Sequence, residues 1–471
     1  FSEPVSPHPL LFSPFHRTSE FCGTCHDVSN PAFDRTGPSD YAPGPLDSGA
    51  DSIDSQVLFP VERTYSEWAH SSFPSGVYAP EFAGNLPGGV VRTCQDCHLR
   101  DVSGRGCNDP AAPLRPDLPL HDMTGGNSWM PGIIDQVFPG EVDPAALQAG
   151  SDRAVSLLRK AALLELTVAT QADSVRADAV ITNRSGHKLP TGYPEGRRMW
   201  LQLTAYDGAD RPVYVSGAYD PVTGTLSHDD DLSIYEAELG ISPGLAQAIG
   251  MTAGPSFHFV LNDSVYKDTR IPPLGFTNAS FAAFGGTPVD PEHPGQRYAD
   301  GQNWDARSYA LPSETRKVIA TLFYQTTSRE YVTFLRDENG TDGAGQLMFD
   351  LWEGNGKAAP VAMIADTAWI DLSSIGENRP GSRSRLDMSA NPFGNTLSLR
   401  LRLPAACEVD LEVYDLQGRR VHAREYGRMA GTLPLAWDGR DDQGREVESG
   451  IYWIRLRAGE DVFVRRAVRL R

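Results

Sequence analysis

The feature that most constrains this chain is a five-residue pattern that occurs twice. The first copy lies in FCGTCHDVSN, with Cys22, Cys25 and His26, and the second lies in TCQDCHLRD, 72 residues further on. The 471 residues include six cysteines and eleven histidines, so chance predicts only about 0.002 copies of CxxCH in a chain of this composition. Two copies therefore indicate a shared chemical purpose.

Three chemistries use a CxxC pair: zinc sites, thiol redox motifs and covalent haem attachment. Structural zinc needs four N or S ligands, so each pair would have to recruit the other across a long Pro- and Gly-rich segment. A redox dithiol belongs at a helix start in a βαβ unit, and no such alternation surrounds either copy. In c-type haem attachment, the two thiols add to the porphyrin vinyl groups and the following imidazole binds the iron.

The pattern favours at least two covalently attached haem c groups, and it leaves zinc and a redox dithiol as alternatives. The predicted haem-binding residues are Cys22, Cys25, His26, Cys94, Cys97 and His98. A second histidine on the opposite side of each iron gives a closed, low-spin electron carrier, whereas an empty site allows ligand chemistry. The candidates for these further metal ligands are His121, His187, His16 and His70.

Net charge and the lengths of apolar runs limit which partners and which cellular compartment the chain can have. The formal charge is −19, from 61 acidic and 42 basic residues, which argues against nucleic acid or an anionic membrane as partner. No apolar run reaches the roughly 18 residues of a transmembrane helix. Because covalent haem attachment takes place outside the cytoplasm, we expect an extracytoplasmic protein, in the periplasm, at the cell surface or outside the cell. The chain begins at Phe1 without Met, and we expect that an export signal once preceded it.

The distribution of residue types predicts a mainly β protein. The first part is dense in Pro, Gly, Ser and Asp, so we predict an irregular, partly helical region that wraps haem as its core. A helix capped by Asp143, with Pro144 at N1 and an interruption at Gly150, ends this region. β-branched and aromatic runs without helical crossovers then predict an antiparallel β-sandwich, with strands in SVRADAVITN, HFVLND and KVIATLFYQ among others and two helices in SREYVTFLRDE and GAGQLMFDLWEG.

The last 75 residues or so alternate strictly, as in TLSLRLRL, and turn at Asp-Gly and Ala-Gly pairs. We predict a small, seven-stranded, immunoglobulin-like (Ig-like) sandwich there. The predicted domains are a haem-wrapping cytochrome domain at 1–162, a β-sandwich at 163–375, a linker at 376–396 and an Ig-like domain at 397–471.

Two resemblances add to this interpretation. The first two-thirds of the chain resembles bacterial multihaem c-type cytochromes through SPFHRTSEFCGTCHDVSNP, HDMTGGNSWMP, TNRSGHKLPTGYPEGRRMW and KDTRIPPLGF. The end resembles the Ig-like domain of the flagellar hook-capping type through WDGRDDQG and SGIYWIRLRAG. The first resemblance favours His121 and His187 as axial ligands, and the second implies an export or anchoring module. Such cytochromes often carry more than two CxxCH motifs, which is where this chain departs from them.

Together these observations predict a multihaem cytochrome that carries electrons through bis-histidine haems, rather than an enzyme. Its partners would be redox proteins or neighbouring cytochrome subunits, and a surface-anchored or filament-forming, nanowire-like subunit is an extension of this prediction. The first alternative is a multihaem reductase or oxidase with one open haem site. The second is a surface adhesion or binding protein. The spectrum of the reduced protein distinguishes the three.

Overall fold

A computed structural model describes most of the chain. The described residues are 13–37, 39–44, 55–84, 86–293, 295–370, 384–389, 393, 396–415, 419–459 and 461–469. The chain divides into two compact units, Phe1–Asp371 and Leu372–Arg471. The predicted domains 1–162 and 163–375 thus lie almost entirely in the first unit. No helix among the described residues is long and apolar enough to cross a lipid bilayer.

Short elements joined by irregular chain make up the beginning of the first unit, as the Pro- and Gly-rich sequence predicts. The elements are α1 (Ser19–Gly23), β1 (Ser29–Arg35), β2 (Tyr41–Pro43), β3 (Leu58–Pro60), α2 (Thr64–Ala69), β4 (Val77–Tyr78), α3 (Pro80–Ala83), β5 (Val90–Val91), α4 (Cys94–His98), β6 (Asp101–Gly104), β7 (Arg115–Pro119), α5 (Pro131–Val137) and α6 (Pro144–Leu158). Single 3₁₀ turns lie at Pro14–Arg17, Ser55–Val57, Phe73–Ser75, Pro87–Gly89 and, later in the chain, Gly356–Ala358.

Helix α6 begins as the sequence predicts. The Asp143 side chain accepts hydrogen bonds from the backbone N–H groups of Ala145 and Ala146, and Pro144 occupies the first turn. The predicted interruption at Gly150 is wrong, because the helix runs unbroken through it to Leu158. A single glycine weakens a helix by about 1 kcal/mol relative to alanine, which the cap and the buried face of α6 can offset.

The remainder of the first unit is mainly antiparallel β structure. Its elements are β8 (Ala162–Thr170), β9 (Ser174–Asn183), β10 (Arg198–Tyr206), β11 (Pro212–Ser216), β12 (Tyr219–Asp220), β13 (Thr225–Leu226), β14 (Ser233–Tyr235), β15 (Ala237–Ile241), α7 (Pro243–Ile249), β16 (Gly254–Pro255), β17 (Ser264–Asp268), α8 (Asn278–Ala283), β18 (Trp304–Pro312), β19 (Lys317–Gln325), α9 (Arg329–Glu338), α10 (Ala344–Gly354) and β20 (Val361–Trp369). The two predicted helices are confirmed as α9 and α10.

Two antiparallel sheets form the predicted sandwich. One has the strand order β18-β9-β8, and the other has the order β11-β10-β19-β20 with β14 paired to β10. Alternate residues of β9, Val175, Ala177, Ala179 and Ile181, are buried, and they share one core with residues of β8, β10, β18 and β19. This alternation places the apolar face of each strand between the sheets. The loop between β9 and β10, residues 184–197, carries one of the candidate iron ligands.

The second unit is one antiparallel sheet of five described strands. They are β21 (Arg385–Ser389), β22 (Leu397–Tyr414), β23 (Arg420–Trp437), β24 (Gly450–Ala458) and β25 (Asp461–Arg469), in the order β21-β22-β24-β25 with β23 paired to β22. The leucines of TLSLRLRL, at positions 397, 399, 401 and 403, are buried on one face as predicted.

The sequence predicts seven strands here, and the described residues form five. The first half of β22 pairs with β21, its second half pairs with β24, and β23 runs beside both halves. The pairing register of β22 with β23 shifts between Leu403 and Cys407. The single long strand β22 therefore pairs with two different strands along its length, where the prediction has two separate short strands. Most of the predicted linker 376–396 lies outside the described residues. Within it, Arg385–Ser389 is not linker but edge strand β21, because Leu386 is buried in the sheet core.

Candidate haem-binding site

Helix α4 gathers the second CxxCH motif on one side of a single helical turn. Cys94, Cys97 and His98 stand at positions i, i+3 and i+4, which face the same way on a helix. A capping box fixes where the turn begins: the Thr93 hydroxyl accepts from the Asp96 N–H, and the Asp96 carboxylate accepts from the Thr93 N–H. This is the geometry in which two thiols and an imidazole can reach one porphyrin.

The first motif forms a similar turn at the end of α1. The N–H groups of Cys25 and His26 both donate to the carbonyl of Cys22, at 3.1 and 2.9 Å. His26 Nδ1 lies 3.0 Å from Glu62 Oε1, and the Thr64 hydroxyl donates to the same oxygen at 3.0 Å. The hydrogen bond to Glu62 raises the pKa of His26. The His26 side chain is 62% exposed.

The two motifs lie side by side. The Cys94 N–H donates to the Ser19 hydroxyl at 3.1 Å, and the Gln95 side chain donates to the Thr18 carbonyl at 2.7 Å. Burial raises the pKa of Cys94 to about 12, and the neighbouring Cys22 thiol contributes to this rise. Groups attached at these two sulfurs would therefore lie close to each other.

His98 and His187 face each other across a gap. Their ring centres are 6.3 Å apart and the ring planes differ by 24°. His98 Nδ1 is hydrogen-bonded to the Thr124 carbonyl at 2.5 Å, and His187 Nδ1 is hydrogen-bonded to the Lys188 carbonyl at 2.9 Å. Because both Nδ1 atoms are engaged, each ring has its Nε2 atom available for another partner.

The distance between the two ring centres matches that of two imidazoles that bind one metal ion. Atoms in van der Waals contact lie about 3.5–4 Å apart, so rings at 6.3 Å do not stack directly. Two imidazoles that bind one metal through Nε2, with metal–nitrogen bonds of about 2 Å, hold their ring centres roughly 6 Å apart. Burial lowers the pKa of His187 to about 4 and lowers that of His98, so both are neutral near pH 7, the form that binds metal.

The loop that carries His187 is held by hydrogen bonds within the first unit. The Asn183 side-chain amide donates to the carbonyls of His187 and Ile271, at 2.8 and 2.9 Å. Leu189 and Ile271 exchange two backbone hydrogen bonds, at 2.9 and 3.0 Å. A Cβ atom at Gly186 would lie 3.1 Å from the ring of Trp68, so glycine lets the loop pack closely there. These contacts fix the backbone on both sides of His187.

A buried charge network lies behind the same loop. Lys188 is fully buried and its ammonium donates to Asp268 at 2.6 Å. Arg270 also donates to Asp268, at 2.8 and 2.6 Å, and lies 3.3 Å from Glu67. Glu67 in turn accepts from the Lys188 N–H at 3.0 Å and from the Thr191 hydroxyl at 2.7 Å. Two cations and two carboxylates thus compensate each other next to His187.

The other predicted ligands are placed less closely. His16 is exposed and packs against Phe21, with ring centres 5.2 Å apart. His70 Nδ1 is bound to the Ser66 carbonyl, and its ring lies 4.9 Å from that of Phe284. His121 is exposed in the strand-free segment that precedes Thr124. The structure therefore brings His98 and His187 together, and their assignment to individual haems stays a prediction.

A four-cysteine zinc centre requires the four motif thiols to lie close together. Groups of side chains whose ligand atoms are close enough to bind one metal ion therefore bear on the zinc alternative. Across the part of the chain that the structure describes, one group of three acidic or histidine side chains has its ligand atoms within 4.8 Å of one another. That group is Asp290, Glu292 and His293, and the Arg297 guanidinium already pairs with Asp290 there. The motif cysteines do not form such a group.

Two residues that contact the site carry no signal in the sequence. Glu62 lies 36 positions from His26, and Thr124 lies 26 positions from His98. The first contributes a side-chain carboxylate and the second only a backbone carbonyl. A lone Glu in an irregular segment and a backbone oxygen have no recognisable pattern, so only the fold reveals these partners.

Glu195, on the same loop as His187, makes stability depend on pH. Its side chain is 6% exposed, and burial raises its pKa to about 7, while the neighbouring Tyr193 and Arg197 oppose that rise only in part. Because the folded pKa exceeds the ordinary value of 4.5, the penalty for the carboxylate is absent below about pH 4.5 and complete above about pH 7. We therefore expect Glu195→Gln to stabilise the protein by about 2 to 3 kcal/mol near pH 8, and hardly at all near pH 4. Urea unfolding midpoints of both proteins at the two pH values measure this; an equal difference at both would contradict it.

Comparisons with known proteins bear mainly on the second unit. The family model of the FlgD Ig-like domain matches residues 390–461. Among solved structures, FlgD from P. aeruginosa is 23% identical with a TM-score of 0.15, and the match covers 18% of this chain and 71% of that one. PorZ of Porphyromonas gingivalis, an essential bacterial surface component of the type-IX secretion system, is 21% identical with a TM-score of 0.14, covering 18% of this chain and 11% of that one.

Other solved structures match longer parts of the chain, and one of them is a cytochrome. A penta-heme cytochrome c552 from Thermochromatium tepidum is 16% identical with a TM-score of 0.40, and the match covers 76% of this chain. The chain spans 57% of the length of that cytochrome. No curated protein matches the chain. The family model confirms the resemblance of the end of the chain to the Ig-like domain of the flagellar hook-capping type. The second unit contains a FlgD Ig-like domain.

Proposed function

We propose that this chain is an extracytoplasmic multihaem c-type cytochrome that carries electrons through at least two covalently attached haems. The observation that carries the proposal is the pair His98 and His187, with ring centres 6.3 Å apart and both Nδ1 atoms bound to backbone carbonyls. In this proposal the two imidazoles would hold the iron of the haem attached at Cys94 and Cys97. Haem supplies a one-electron redox couple when it is bound.

The protein's own residues would attach, orient and space the cofactors. The thiols of each CxxCH turn provide the covalent attachment, and His26 and His98 provide one axial ligand each. The hydrogen bond from Cys94 to Ser19 and that from Gln95 to Thr18 fix the two attachment turns next to each other. Close attachment points favour rapid transfer between cofactors, and fixed imidazoles limit reorganisation when the charge changes.

Covalent attachment is the first test. The full chain would be produced in a host that matures c-type cytochromes, denatured, and examined by haem staining and intact mass. Two pair replacements, Cys22→Ala with Cys25→Ala and Cys94→Ala with Cys97→Ala, should each remove one haem and leave the other. Release of all pigment on denaturation, or stoichiometric zinc in place of iron, would refute the proposal.

A reductase or oxidase with one open haem site is the second candidate. The observation that favours it is that His187 faces His98, whereas among the described residues no histidine ring faces His26 in this way. Carbon monoxide distinguishes the two functions. An electron carrier with closed irons should not change its reduced spectrum, whereas an enzyme of this kind should bind the gas at the haem of the first motif.

The FlgD Ig-like domain suggests how the cytochrome is held in place. We propose that it attaches the haem-binding unit to a surface or export assembly, either as a single anchored subunit or within a filament. A filament needs a head-to-tail contact that does not close on itself. Electron microscopy of the haem-loaded chain separates the two arrangements, and a protein that carries no haem would instead support adhesion or binding as its function.

A further inference from the structure

The two CxxCH histidines differ in the group that accepts their Nδ1 hydrogen bond. His26 Nδ1 is bound to the carboxylate of Glu62 at 3.0 Å. His98 Nδ1 is bound to the backbone carbonyl of Thr124 at 2.5 Å. One acceptor is an anion and the other is a neutral peptide group.

We propose that Glu62 holds the reduction potential of the haem at His26 below that of the haem at His98, so that electrons pass from the first motif to the second. This inference rests on the function proposed above and adds a direction to it. In the transfer, one electron moves from ferrous iron at the first motif to ferric iron at the second, and no bond forms or breaks. A redox partner protein supplies the electron.

The physical reason lies in the basicity of the ligand. A histidine bound to a metal through Nε2 carries its proton on Nδ1, and an anionic acceptor attracts that proton more strongly than a carbonyl does. The imidazole then gains anionic character and donates more charge to the iron. Greater donation stabilises the ferric state over the ferrous state, which lowers the potential.

The carboxylate of Glu62 is fixed in position. Its side chain is 11% exposed, and the Thr64 hydroxyl donates to the same oxygen that faces His26. Thr64 lies 2.9 Å from the Thr191 hydroxyl, which donates to Glu67 at 2.7 Å. The acceptor of His26 is therefore held by Thr64, which itself lies against the loop carrying His187, and it is not a freely moving surface side chain.

Burial acts in the same direction at the other site. His98 and His187 are partly buried, whereas the His26 side chain is 62% exposed. A less solvated site disfavours the additional positive charge of ferric iron, so the partial burial of His98 and His187 would raise the potential there. Charge at Glu62 and burial around His98 thus both separate the two potentials.

Spectroelectrochemical titration of the haem-loaded full chain tests the proposal. Glu62→Gln keeps an oxygen acceptor and removes the charge. The equilibrium constant for reduction of the haem at His26 should therefore increase about tenfold, which raises the lower of the two potentials by ~59 mV for one electron. The higher potential should stay in place. Thr64→Val removes a hydrogen bond that weakens the carboxylate as an acceptor, so it should move the lower potential in the opposite direction. A general structural disturbance would not produce shifts of opposite sign.

The matched control is Glu20→Gln, which removes a charge from an exposed residue of α1 that does not contact His26. It measures how much the loss of a nearby negative charge changes the potential when no hydrogen bond to His26 is altered. A shift of the lower potential as large as that caused by Glu62→Gln would overturn the proposal. Full haem content with unshifted potentials in Glu62→Gln would overturn the role of Glu62 and leave the electron-carrier function intact. A wild-type chain without covalent haem would overturn both.

Discussion

His187→Ala should leave both haems attached and convert one of them from six-coordinate, low-spin to five-coordinate, high-spin. In the proposed haem site His187 would contribute a neutral imidazole whose ring centre lies 6.3 Å from that of His98, and alanine would leave that side of the iron empty. The loop should keep its place, because Asn183 binds the backbone carbonyl of residue 187 rather than its side chain. The visible spectrum and electron paramagnetic resonance measure the change, and the reduced variant should bind carbon monoxide at one of its haems.

Two comparisons make this result specific. Added imidazole should restore the low-spin spectrum of His187→Ala, since it can occupy the space that the side chain leaves. His121→Ala is the matched control, because His121 is the rival ligand from the sequence and is exposed in the structure. If His121→Ala becomes high-spin while His187→Ala keeps the wild-type spectrum, the axial pair proposed here is wrong.

Asp268→Asn should destabilise the first unit by about 3–5 kcal/mol, because it breaks a buried ion network by removing one partner. The Asp268 side chain is 5% exposed and accepts hydrogen bonds from Lys188 and Arg270. Although burial opposes it, these two cations lower the pKa of Asp268. Asparagine leaves two buried cations against the single carboxylate of Glu67, which is a large change for a protein whose total stability is about 5–15 kcal/mol.

Urea unfolding followed by fluorescence measures this loss. The control is Glu353→Gln, which breaks the pair between Lys357 and the exposed Glu353 carboxylate at 2.6 Å and should change stability by no more than about 1 kcal/mol. Because Lys188 adjoins His187, we also expect Asp268→Asn to give a partial high-spin signal. A midpoint shift no larger than that of the control would contradict a stabilising role of the network.

Sequence patterns correctly predicted the strands and the helix start whose formation depends mainly on neighbouring residues. The strands SVRADAVITN and KVIATLFYQ are present as β9 and β19 with the predicted ends, because strict alternation and β-branched residues leave one face to bury. Helix α6 begins at the predicted cap because Asp143 and Pro144 satisfy or remove the N–H groups of its first turn. The predicted strand HFVLND is wrong: the chain turns at Leu261, and β17 begins only at Ser264.

The candidate site depends on contacts that no local pattern encodes. The spacing in CxxCH identified the two candidate motifs, since its chemistry is contained in five residues, and haem attachment at them stays a prediction. The facing of His98 and His187, 89 positions apart, requires the loop after β9 to pack against α4, and this depends on Asn183, Ile271 and the buried pair of Lys188 and Asp268. Glu62 reaches His26 for the same reason: tertiary packing, not sequence spacing, places them together.

A map of anomalous scattering at the iron absorption edge, from crystals of the haem-loaded protein, is the most direct test of the central claim. It should show one iron between the Nε2 atoms of His98 and His187 and a second iron bound to His26, each within a porphyrin joined to its own cysteine pair. Iron absent from the space between His98 and His187, or a zinc signal at the four cysteines, would contradict the account.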